Sequence, residues 1–139
     1  MSLDTMFMLA NAIGLVGWLA LLFAPLNRST LVAVARIAGV ALCIFYVVTF
    51  AKAGSPQMPI DYSLTGIAAF FGIPGYLLAG WIHYLAFDLW IGSWEAEEAG
   101  RTGMAHALLL PCLLFTYLLG PVGLLLFLVV RAMGRRQRG

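Results

Sequence analysis

Apolar residues run along this chain in long unbroken blocks separated by short polar breaks, with no alternation of the kind a half-buried strand needs. Four blocks stand out, at residues 6–24, 31–50, 75–94 and 107–130. At 1.5 Å of rise per residue, each is long enough to cross a hydrocarbon core of about 30 Å. The first opens after Asp4 and Thr5 and closes at Pro25, Asn27 and Arg28. Its flanks lack the basic start and small-residue cleavage site of a signal peptide, so it reads as a mature helix. The second carries Arg36 and ends at Lys52, Gly54 and Pro56; the third carries His83 and Asp88; the fourth carries Pro111 and Pro121 and stops at Arg131. Between the second and third lies an apolar decapeptide, residues 64–73, which as a helix rises only about 15 Å, half a bilayer. The pattern predicts an all-α integral membrane bundle, a single domain over residues 1–139. It has four transmembrane helices, a short re-entrant or interfacial helix between helices 2 and 3, and a basic tail at residues 131–139.

Composition sharpens this picture. Of 139 residues, 63% are hydrophobic and only 10% charged, with a mean hydropathy of +0.96. Soluble domains carry about 45 to 50% apolar and about 25% charged residues, so a water-soluble globular enzyme is excluded. The net charge of +2 is small, which speaks for topology and against a nucleic-acid partner. Four spans place both termini on one side, together with Lys52, Arg131, Arg135, Arg136 and Arg138. Arg28 and Arg101 fall on the other side, beside Glu95, Glu97 and Glu98. The positive-inside rule then predicts cytoplasmic termini, in the inner membrane if the protein is bacterial. Cys43 and Cys112 fall in spans at different depths and read as free apolar thiols.

Three ionisable residues fall inside predicted spans, where each costs at least about 2.5 to 3.5 kcal/mol on insertion scales and needs a partner or a job. Counting from span ends puts Arg36 and Asp88 both about 8 to 9 Å below one boundary. They are natural salt-bridge partners, whether to pin two helices or to act in binding or catalysis. His83 falls near the bilayer centre and shares a helix face with Phe87, Trp90 and Trp94. Trp81, Tyr84, Asp88 and Glu95 form a second stripe about 140° away. A plain packing account has His83 bonded to Asn11, Tyr46 or Tyr117. His106 opens the fourth block across a short loop from Glu95, Glu97 and Glu98, an arrangement that suits a divalent metal, a proton relay or a solvated loop. It lies about 15 Å outward of His83 by the same count. The chain has no pair of histidines four apart and no CxxC, and no nucleophile elbow or phosphate loop.

The run Trp81, Ile82, His83, Tyr84, Leu85, Ala86, Phe87, Asp88, Leu89 with Gly92 is the most specific motif of the chain. It is followed by His106, then Leu110, Pro111, Cys112 and Leu113, then Gly120, Pro121, Val122 and Gly123. With Asn11, Gly17, Trp18 and Pro25 near the start and Gly66, Ile67 and Ala68 in the long connection, this set resembles the neoxanthin-synthase-like family. Its members are small four-helix membrane proteins named for an abscisic-acid-deficient plant mutant. The resemblance runs from about residue 6 to 131 and implies an enzyme that modifies a carotenoid or similar polyene.

Plant members are associated with converting violaxanthin to neoxanthin, an epoxide opening with proton loss that requires an acid and a base. The resemblance assigns those roles to His83, Asp88 and His106, with Glu98 at a further matching position. Trp81, Tyr84, Phe87 and Trp90 are expected to line the groove. A second reading is a carotenoid cleavage oxygenase dependent on haem or iron, for which His83 and His106 are the candidate metal ligands. A third, of a different class, is a non-catalytic pigment-binding or scaffold protein. The expected partners are a lipophilic polyene and the bilayer, and so small a bundle is expected to form a homo-oligomer to enclose its substrate.

Overall fold

A computed structural model of the chain describes residues 1–54 and 61–136, with side chains through residue 134. Pro56 and Arg138, and the side chains of Arg135 and Arg136, lie outside the described residues. Among the described residues there are six α-helices and no strand: α1 (Leu3–Leu22), α2 (Arg28–Ala53), α3 (Leu64–Phe71), α4 (Pro74–Arg101), α5 (His106–Leu119) and α6 (Pro121–Arg136). The all-α expectation holds. Helices α1 and α2 are each long and apolar enough to cross a membrane, and α3 with α4, bent by 98°, form a third candidate. The predicted four spans are therefore not all present as continuous helices.

The starts and stops follow local chemistry. The Ser2 side chain accepts from the Thr5 amide to cap α1, and Asn27 does the same for α2 after a 3-10 turn at Ala24–Leu26. Such side-chain acceptors satisfy amides that have no partner inside the helix. Helix α2 ends at Gly54, whose φ of 78° few other residues adopt without strain, and the Tyr76 hydroxyl donates to the Gly54 carbonyl. The short helix expected between the second and third blocks is α3. Ser63 caps it at the Gly66 amide, and the Ser63 amide and hydroxyl in turn hold the exposed Asp61 carboxyl below the usual carboxylate range. Pro74 then opens α4 at a position where a missing amide hydrogen costs nothing. Helix α3 folds back so that Phe70 stacks on Tyr76 at 4.1 Å.

Helices α1, α2 and α4 form the core. Contacts of Gly14 with Leu85, Gly17 with Leu89, and Gly92 with Trp18 bring α1 and α4 together in parallel. Helix α2 runs antiparallel to α4, with Gly39 against Trp90 and Ala53 against Gly75. Added Cβ atoms at Gly17 and Gly92 would come within 2.5 and 2.8 Å of their neighbours. This is how small residues admit close helix approach where lipid gives no hydrophobic drive between helices.

Two departures from the sequence reading matter for the site. Helix α4 does not stop near Trp94 but continues to Arg101, because Glu95, Ala96, Glu97, Glu98 and Ala99 are good helix formers. The block at residues 107–130 is not one helix. It breaks at Gly120, with φ 46°, before Pro121, which opens α6. Gly at a helix end followed by Pro at the first position of the next is a strong stop and restart. Pro111, by contrast, sits inside α5 without ending it. Past the break the chain turns back on itself, and a Cβ on Gly123 would lie 2.0 Å from the Thr116 amide nitrogen. Helix α6 therefore returns alongside α4, with Phe127 edge-on to Trp94 at 5.3 Å and Arg131 on Glu98 at 2.8 Å. The start of the tail thus lies at the same end of the bundle as Arg28 and Arg101, where the sequence reading put it at the opposite end.

Candidate functional site

The two stripes expected on α4 exist, and they meet different surroundings. The stripe of Tyr84, Asp88 and Glu95, extended by Glu98, faces the α5–α6 hairpin. The Tyr84 hydroxyl donates to the Tyr117 carbonyl at 3.2 Å and lies beside the Asp88 carboxylate one turn on. Gly120, the hairpin tip, rests on Asp88 so closely that a Cβ there would come within 2.8 Å of Oδ1. Asp88 Oδ2 is buried and has no hydrogen-bond partner among the described residues.

Seven residues further on, Glu95 is fully buried and accepts from the Thr116 hydroxyl, with its oxygens at 3.0 and 3.1 Å. One hydroxyl has one proton, so Thr116 serves only one of the two oxygens at a time. Glu98, 4% exposed, takes Arg101 at 2.7 Å and Arg131 at 2.8 Å. At the break the Tyr84 hydroxyl donates to the Tyr117 carbonyl and the Gly120 amide donates to the Thr116 carbonyl, so backbone groups freed from the helix find partners.

An apolar path leads to Tyr84. One groove of about 490 Å³ lies between the first turns of α1 and α4 and is lined by Leu3, Asp4, Phe7, Pro74, Leu77, Leu78 and Trp81. A second, of about 310 Å³, is lined by Phe71, Leu77, Gly80, Trp81 and Tyr84. The two share Leu77 and Trp81, and the Trp81 indole is fixed by donating to Asn11 at 3.3 Å. Of the four aromatics expected to line one groove, Trp81 and Tyr84 do so. Phe87 and Trp90 are exposed on another face, Trp90 packing on Gly39 and under the Arg36 guanidinium.

The three residues expected to share the chemistry do not converge. His83 is exposed, stacked on Phe87 at 4.4 Å and edge-on to Tyr46 at 5.7 Å. Asn11, one of its expected partners, is taken by Trp81 instead. His106 sits at the arginine end with Nε2 3.0 Å from the Leu22 carbonyl. A carbonyl only accepts, so this nitrogen carries the proton and the ring ties α5 to the end of α1. Only Asp88 stands in the polar stripe. Among the described residues no group of three or more His, Cys, Asp or Glu is placed to hold a metal ion, and the two imidazoles lie on different helices, His83 stacked on Phe87 and His106 at the Leu22 carbonyl.

The Arg36 to Asp88 pair is also not formed: Arg36 pairs with Glu97 through both terminal nitrogens. The reason is the length of α4. A span ending at Trp94 sets Asp88 level with Arg36, whereas seven more residues of helix carry Asp88 about 10 Å further from the helix end and bring Glu97 level with Arg36. Cys43 and Cys112 are both free, as expected.

Two residues of the polar cluster escaped the sequence reading, Glu95 as a site residue and Thr116 altogether. Glu95 stood on the correct stripe, seven residues after Asp88, but read as part of a loop. Thr116 carried no signal without the hairpin. No curated protein and no solved structure matches the chain. A model of the family described as ABA DEFICIENT 4-like matches residues 5–127. With the match covering most of the bundle, including the whole Tyr84 to Glu98 stripe and the hairpin tip, the chain belongs to the ABA DEFICIENT 4-like family.

Proposed function

We propose that this chain is an integral membrane enzyme that isomerises a carotenoid or similar polyene, with Asp88 as the proton-transferring residue and Tyr84 as its partner. The observation that carries the reading is the Asp88 carboxylate. It is held at a helix break, with one buried oxygen unpartnered among the described residues and Tyr84 beside it, where an apolar groove ends. A role in carotenoid metabolism is what family membership suggests. A polyene dissolves only in the bilayer, is about as long as the bilayer is thick, and can lie along Leu77 and Trp81 with its end group at Tyr84.

In a neoxanthin-synthase-like reaction the Tyr84 hydroxyl donates its proton to the epoxide oxygen as the carbon–oxygen bond breaks. Asp88 takes the carbon-bound proton whose electron pair forms the new double bond. The proton then passes from Asp88 to the Tyr84 oxygen, so both residues return to their starting state and no proton is gained or lost. Glu95 and Thr116 hold the hairpin against α4, and His106 anchors α5. The catalytic work assigned by resemblance to three residues thus narrows to Asp88, while His83 faces outward.

In the same reading α1, α2 and α4 cross the bilayer and α5 with α6 form a re-entrant hairpin. The positive-inside rule applied to this topology puts the end with Arg28, Arg101 and Arg131 in the cytoplasm and the amino terminus on the far side. A second copy closes the open side of the groove.

The test is expression in a host that makes epoxidised carotenoids, with pigments separated by chromatography. Wild type yields an isomer of unchanged mass. Asp88→Asn and Tyr84→Phe, made in equal amounts, yield none while still retaining pigment. Product at the wild-type level from Asp88→Asn overturns the assignment, and pigment retention with no product from wild type favours a pigment-binding protein.

A further inference from the structure

A second cleft, of about 620 Å³, lies at the arginine end between α2 and α4, away from the polyene groove. Arg28, Arg36 and Arg101 line it, with Glu97 as its acidic member. Arg36 is held by Glu97 and Arg101 by Glu98. Arg131 also binds Glu98, so three guanidiniums share two carboxylates at this end. Arg28 makes no ion pair among the described residues. It lies flat across Gly100, where a Cβ would come within 2.2 Å of a guanidinium nitrogen and 2.7 Å of Cδ. The Nε of Arg36 is buried with no acceptor among the described residues. Apart from Ser29 and Gly100, the remaining wall is aliphatic, made by Val32, Ala33 and Ile37, the last 69% exposed.

From this we infer that the cleft binds a phosphate-bearing anion, held by Arg28 with Arg36 and Arg101 beside it. Guanidinium groups recognise phosphate by paired, charge-assisted hydrogen bonds. A cationic cleft at the boundary of an apolar bundle, with an aliphatic wall running down from it, matches the headgroup and first acyl carbons of an anionic phospholipid. Free phosphate shares the headgroup chemistry but has no use for that wall. Gly100 belongs to the site because its missing side chain is what lets Arg28 lie over the cleft.

The full-length protein, purified in detergent, is exposed to phosphatidylglycerol or phosphatidylcholine, and bound lipids are counted by native mass spectrometry. Inorganic phosphate is titrated calorimetrically into a parallel sample. Wild type retains phosphatidylglycerol over phosphatidylcholine by about tenfold, the scale of one or two charge-assisted hydrogen bonds. Arg28→Gln and Gly100→Ala lose that preference, and Lys52→Gln at the opposite end keeps it. Heat from inorganic phosphate that disappears in Arg28→Gln, without lipid preference, supports the site with the free anion as its ligand. Equal retention of the two lipids with no phosphate heat overturns the proposal. So does an unchanged preference in Arg28→Gln when the variant is as folded as wild type.

Discussion

Two faces of α4 carry the residues that look out of place in an apolar chain, and they have opposite fates. On one face His83, Phe87 and Trp90 lie exposed, layered against Tyr46, Gly39 and Arg36 of α2. On the other, Tyr84, Asp88, Glu95 and Glu98 meet a helical hairpin that supplies a carbonyl, a hydroxyl, a guanidinium and a glycine tip. Rarity of a residue type does not reveal which face is buried. A histidine can lie along a surface as a flat, weakly polar ring stacked on an aromatic. A buried carboxylate needs donors, and the chain is broken at Gly120 where it passes closest to Asp88.

The largest expected difference between the faces is catalytic. Asp88→Asn lowers conversion of the polyene by about a hundredfold or more, the usual scale for removing a proton-transfer group, while His83→Gln stays within about threefold of wild type. The same product assay reads both. A collapse in His83→Gln with activity retained in Asp88→Asn reverses the ranking of the two faces.

Next comes the hairpin that defines the polar face. Gly123→Ala places a Cβ against the Thr116 backbone, which cannot retreat as a flexible side-chain end can. It is expected to destabilise by about 3 kcal/mol, the upper end for overpacking, or to prevent folding. Gly134→Ala has nothing within 4 Å and is expected to be neutral or slightly stabilising, since alanine is the better helix former. Thermal unfolding in detergent separates them, and equal melting of the two variants contradicts the tight turn.

The smallest effect concerns one hydrogen bond. Thr116→Val is close to Thr in shape but removes the only hydrogen-bond donor to the buried Glu95 among the described residues, at a cost of about 1 to 3 kcal/mol for a buried group left unpaired. Thr116→Ser restores most of it. If valine is as stable as threonine, Glu95 has another source of support.

Much of this was legible in the sequence. Residue spacing gave α1, α2, the short α3 and the start of α4, because apolar run length and end-capping residues decide those elements locally. The stripe of Trp81, Tyr84, Asp88 and Glu95 follows from helical geometry alone. What stayed hidden depended on partners. A run such as residues 95–99 is charged enough to read as a loop, yet forms helix once Thr116, Arg131 and Arg36 meet its carboxylates. The Gly120 and Pro121 pair was visible, but a kinked span and a hairpin have the same sequence, and only the contacts of Gly123 and Arg131 tell them apart. Both errors fed into depth: a span end misplaced by seven residues put Asp88 opposite Arg36 and left Glu97 outside.

The return of α6 is what gathers the polar face, and side-specific cysteine labelling tests it most directly. Single cysteines replace Ser2, Ala105 and Met133 in a chain with Cys43 and Cys112 changed to Ala, and a membrane-impermeant maleimide is applied from one side of sealed vesicles. The hairpin predicts that Ala105→Cys and Met133→Cys label from the same side and Ser2→Cys from the other. Labelling of Met133→Cys together with Ser2→Cys, opposite to Ala105→Cys, would mean that residues 107–130 cross the membrane as a single span and that the hairpin does not form.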